Sequence, residues 1–84
     1  MNIYRLTRKG PGAFGTYSAC VVVAESVGAA KYIHPEYDAP PAWFLSKAHV
    51  HRWAKPENVR VRLLGVADSR FKVPGVILNS YVAG

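Results

Sequence analysis

The chain has 84 residues, half of them hydrophobic, and its eleven Lys/Arg against five Asp/Glu give a formal charge of +6. That length allows one domain, residues 1–84, with a core near the lower limit for a chain lacking disulfides or structural metals, and the apolar content argues against disorder. A single cysteine excludes an internal disulfide, and no apolar run approaches the ~20 residues of a membrane helix.

Residues 2–8 (NIYRLTR) alternate, placing Tyr4 and Leu6 on one side and Ile3, Arg5 and Thr7 on the other, as in a half-exposed strand. Residues 9–16 (KGPGAFGT) carry the Gly and Pro of a chain reversal. In residues 17–24 both alternate sets are small or apolar, which predicts a central strand covered at least partly on both faces. Ser26 is the N-cap of a short helix, with Val27, Ala30 and Ile33 as its apolar stripe. Pro35 ends it, since the residue before a proline is disfavoured in helical geometry. His34, near that C-terminus, reads as a residue favoured by the helix dipole.

Residues 35–58 form a long aromatic and basic connection that is either a functional loop or hides a short helix near 42–51. Residues 59–67 alternate again, with Val59, Val61 and Leu63 inward and Arg60 and Arg62 outward. A turn at 72–75 leads to a last strand at 76–82. The order β-β-α-loop-β-β predicts a small α+β fold: a mainly antiparallel four-stranded sheet with one short helix packed on it.

Several constellations carry chemistry in principle. Gly10, Gly12 and Gly15 fit G-x-G-x-x-G, but a strand follows where a dinucleotide site needs a helix. A hairpin loop remains, either plain or touching phosphate with help from Arg8 and Lys9. His34, His49 and His51 invite a metal reading, because His-x-His on a strand puts both rings on one face. No carboxylate or cysteine joins them at a recognisable spacing, so no metal and no cofactor are expected. The acids are scattered and Cys20 sits mid-strand, so the reading is not an enzyme.

The richest region is 43–62. Trp43 and Trp53 offer flat rings, and His49, His51, Arg52, Lys55, Arg60 and Arg62 offer donors to anions. Stacked bases plus phosphate contacts are how proteins hold nucleotides and single strands. The competing reading makes the tryptophans core anchors and the arginines a solvated face.

The runs SACVVVAES and AAKYIHP, then WAKP, LLGVAD and the ending PGVILNSYVAG resemble a set of small accessory proteins of tailed phages and prophages. Those read roughly SAVVAAES, a charged helix, IHP, a Trp-bearing loop, GEA and PGVILASFNAG. The likeness spans nearly the whole chain. It departs at Val27-Gly28-Ala29, where acidic residues are usual, and in the basic charge. It implies a viral origin and an accessory role. An anti-defence role is a separate expectation, and a place in the host cytoplasm is expected from the lone cysteine and from a charged start, MNIYRLTRKG, that does not read as a signal peptide.

The expected function is therefore binding of an anionic ligand, a nucleotide or short oligonucleotide such as a host immune signal, without catalysis. The alternatives are an inhibitor docking on the acidic face of a host protein or defence complex, and generic single-stranded nucleic-acid binding. A homodimer is an open option, and no membrane partner is expected.

Overall fold

The computed structural model describes residues 1–10 and 16–82. Strands β1 (Asn2–Arg8), β2 (Thr16–Ala24), β3 (Val59–Val66) and β4 (Gly75–Val82) form one antiparallel sheet in the order β3-β1-β2-β4. Between β2 and β3 lie α1 (Val27–Lys31), a 3-10 turn at Trp43–Leu45, α2 (Lys47–Arg52) and a second 3-10 turn at Pro56–Asn58. This is the small α+β fold expected, with α2 as the helix hidden in the long connection.

Register decides which residues make the core. Tyr4 lies opposite Val22 and Leu63, and Leu6 opposite Cys20 and Val61. Tyr4, Leu6, Cys20, Val22 and Ala24 are therefore on one face, and all are buried. Ala30 of α1 covers this face together with Trp43 and Trp53 from the connection. Each indole removes ~150–250 Å² from water, a gross gain of about 4–6 kcal/mol at 25 cal/mol per Å². In a domain this small, those two side chains are what let the irregular connection act as a packed layer.

Local chemistry explains α1. Ser26 is extended and its Oγ accepts from the Ala29 amide at 3.1 Å, the N-cap that the sequence predicts. The helix is shorter than expected, ending at Lys31, so the apolar stripe is not completed. Ala30 is buried and Ile33 packs at the rim, but Val27 is 50% exposed. Leu63, expected inward, is 59% exposed. It sits on β3, an edge strand of the sheet.

The two sheet edges are protected differently. β3 carries Arg60 and Arg62, charges that discourage strand addition. On β4, Val76 pairs with Val22 and Leu78 with Val21, which leaves Ile77 as an extra residue. That bulge breaks the regular ladder and leaves Ile77 and Leu78 both exposed.

The connection from β3 to β4 crosses the end of the sheet, where the Ala67 amide donates to the Met1 carbonyl at 2.9 Å. No helix among the described residues is long and apolar enough to cross a membrane.

Candidate anion-binding cleft

The last residues of β1 and the first of β3 are brought together by pairing of Arg8 with Val59. The ladder continues one step past the strands, with the Lys9 amide donating to the Asn58 carbonyl at 2.9 Å. Gly10 then takes a φ of +84°, the left-handed region that glycine enters without a Cβ clash. On the other side, Trp53 is wholly buried and pins the end of α2, and Pro56 opens the 3-10 turn with its φ already set. Lys9 Nζ also approaches the Glu57 carbonyl oxygen at 3.5 Å.

These anchors place Arg8, Lys9, His51 and Lys55 around an open cleft of about 440 Å³. Val50 and Ala54 give it an apolar wall, and Glu57 and Asn58 complete the lining. Three permanent cations thus face one carboxylate. The size falls within the ~300–1,000 Å³ usual for small-molecule sites.

Arg8 supplies the decisive detail. Among the described residues, three buried side-chain polar atoms have no hydrogen-bond partner: Arg8 Nε, Arg8 Nη1 and Trp53 Nε1. All three are donors. Two belong to a residue of the cleft, and the third to the neighbour of Ala54 in its wall. A buried donor left unpaired costs ~1–3 kcal/mol, so such groups call for an acceptor.

The remaining predicted site residues go elsewhere. Trp43 and Trp53 are 2% and 0% exposed, so neither ring face is open for stacking, and the core-anchor reading applies. Trp43 Nε1 donates to the Tyr32 carbonyl at 2.7 Å. Arg52 donates to Glu36 Oε1 at 2.7 Å, and His49 Nε2 lies 3.7 Å from the other oxygen of the same carboxylate. Arg60 and Arg62 are exposed on the face of the sheet opposite Tyr4, Leu6 and Val22. Gly12 and Gly15 lie outside the described residues.

The histidines separate because their segment is helical. On a strand His49 and His51 would share a face, but on α2 residues two apart point in different directions. His49 turns towards Ser46, Glu36 and His34, while His51 lines the cleft. Among the described residues no three His, Cys, Asp or Glu come together as a metal site.

His34 is not a cation at a helix end. Its Nδ1 accepts from the Glu36 amide at 3.0 Å, which leaves the proton on Nε2, donated to the His49 carbonyl at 2.7 Å. Burial lowers its pKa, against the opposing pull of that carbonyl and of Glu36, so the ring is a neutral bracket between the segment after α1 and α2. Cys20 is buried and its thiol is pushed up to about 12, which removes it as a nucleophile at neutral pH.

In the sequence Arg8 and Lys9 belong to a different candidate site from His51 and Lys55, Glu57 is one of the scattered acids, and Asn58 has no marked role. The one available signal was the proline of the Lys55-Pro56-Glu57 step, which marks a turn just before β3. Comparison of the chain with protein-family models, with curated proteins and with solved structures returns no match, so the functional case rests on the cleft itself.

Proposed function

We propose that this chain is a non-enzymatic accessory protein of phage type whose Arg8–Lys55 cleft holds the phosphate of a nucleotide or short oligonucleotide, sequestering it from a host response. The observation that carries this reading is the set of unpartnered buried donors at a cleft lined by three permanent cations. A guanidinium offers phosphate a rigid fork of donors, and lysine ammonium groups add point charges that adapt to its position. Among the described residues His51 is the one ring in the lining, available to a base or to a further phosphate oxygen. Glu57 suits a sugar hydroxyl or an exocyclic amine, which favours a nucleotide over bare phosphate. With both tryptophans buried and the exposed rings of Tyr32, Tyr37 and Phe44 outside the cleft lining, this cleft offers His51 for one base and no row of rings for a stacked run, which favours a nucleotide here over generic single-strand binding.

The test is thermal stabilisation by ADP, a cyclic dinucleotide and an oligothymidylate, each at moderate and high salt. A ligand at a hundred times its Kd stabilises by about 2.7 kcal/mol, or roughly ten degrees or more in a domain of this size. One nucleotide is expected to give such a shift and keep it in high salt. Lys9→Glu with Lys55→Glu, both at exposed positions, should abolish the shift while leaving the ligand-free melting temperature nearly unchanged. Shifts confined to the oligothymidylate and lost in salt would transfer the reading to single-strand binding. A flat panel would overturn it.

A further inference from the structure

The face of the sheet turned away from the core has a composition that the cleft does not explain. Reading across the strands β3-β1-β2-β4, one row is Arg62, Arg5, Val21, Leu78, and the next begins Arg60, Thr7, Ala19. The β3–β1 half therefore holds three arginines, all exposed, and the β2–β4 half holds an aliphatic strip in which Ala19 and Val21 are half-buried and the next residue along, Val23, is buried. Leu78 is 64% exposed. Both helices pack on the opposite face, against Tyr4, Leu6 and Val22.

Arg5 lies directly opposite Arg62, and none of the three arginines has an ion-pair partner among the described residues. Like charges facing each other across strands destabilise a sheet. Folding therefore gains nothing from this pairing, whereas an acidic partner would gain from it.

We propose that this face docks an acidic amphipathic helix of another protein, laid along the strands with its apolar stripe on Ala19, Val21 and Leu78. Its carboxylates would lie over Arg5, Arg60 and Arg62. The spacing suits a helix. Arginines two apart on a strand are separated by about 6.7 Å, and carboxylates four apart on a helix by about 6 Å along its axis. The apolar half favours a protein over a nucleic acid, because an aliphatic strip beside the arginines is buried by a helix stripe and offers no ring for a base to stack on.

The proposal uses residues other than those of the cleft, which lies on the side of the sheet where α2 packs. The experiment is a titration of the isotope-labelled protein with a synthetic helical peptide carrying Glu at four-residue spacing beside a Leu stripe. A scrambled peptide of the same composition and an oligothymidylate serve as comparisons. Amide shifts are expected on residues 3–7, 19–23, 60–64 and 78, with the scrambled peptide weaker by roughly tenfold. Arg5→Gln with Arg62→Gln should weaken the helical peptide by roughly tenfold or more, and Leu78→Glu should do the same by repulsion. Lys9→Gln with Lys55→Gln, which removes as many charges but none from this face, should weaken it by no more than about twofold. Equal binding of the two peptides, shifts confined to the cleft, or an oligothymidylate that outcompetes the helix on this face would each overturn the proposal.

Discussion

The cleft and the open sheet face divide most of this protein's positive charge between them, and they differ in what surrounds it. At the cleft, Arg8 has two nitrogens buried without a partner, held beside a wholly buried tryptophan and a turn started by a buried proline. On the open face, Arg5, Arg60 and Arg62 stand in solvent on regular strands. The first arrangement is costly to build and suits a small anion that completes its hydrogen bonds. The second costs little and suits a large surface whose contribution is mainly steering and register. Equal charge therefore does not mean equal function, and burial is what separates the two.

The comparison can be broken by mutation. Trp53→Ala, beneath the cleft, should cost about 3–5 kcal/mol in chemical denaturation. That is much of the ~4–13 kcal/mol that a domain of this length is expected to possess. Leu78→Ala, on the open face, should stay within about 0.5 kcal/mol. If the two cost the same, the assignment of one face as core and the other as free is wrong.

His34→Ala comes next, at about 2–3 kcal/mol, because it leaves the His49 carbonyl and the Glu36 amide without their partner. Its pH signature is distinct. Burial holds the folded pKa of His34 below the ordinary 6.5, so the unfolded chain takes up this proton first as pH falls. The contribution is complete above about pH 6.5 and is lost as pH drops from there through the lower folded value. Urea titrations across that range should show stability falling towards acid, and the slope should shrink in His34→Ala. An unchanged slope would remove His34 from the account.

A smaller loss is expected at Gly10. An alanine there meets no atom within 4 Å, so the penalty is conformational, about 1–2 kcal/mol for holding φ at +84°. Smallest, and opposite in sign, is Arg5→Gln. Removing a charge that faces Arg62 should raise stability by about 0.2–1 kcal/mol, seen as a slightly higher melting temperature. A loss instead would mean that the arginines serve the fold and not a partner.

Much of the architecture was legible in local pattern. Tyr4 and Leu6 alternate with Arg5 and Thr7, and Val59 and Val61 alternate with Arg60 and Arg62, because a strand buried on one face permits little else. Ser26 announces a helix start through its own hydroxyl. The site was much less legible. His49 and His51 carry opposite implications on a strand and on a helix, and six residues of mixed polarity hold no period strong enough to decide. Trp43 and Trp53 read equally well as platforms and as anchors, since an indole is both flat and apolar.

What the sequence by itself determined is the four strands, the Ser26-capped helix and the excess of positive charge, which follow from side-chain periodicity, capping chemistry and composition. What only the tertiary structure decided is where that charge gathers. Arg8 and Lys9 meet His51 and Lys55 across more than forty positions because Arg8 pairs with Val59 and Trp53 seats α2 against the sheet. Long-range strand register and the burial of one indole set that meeting. Neither leaves a local trace, because each depends on partners distant in the chain.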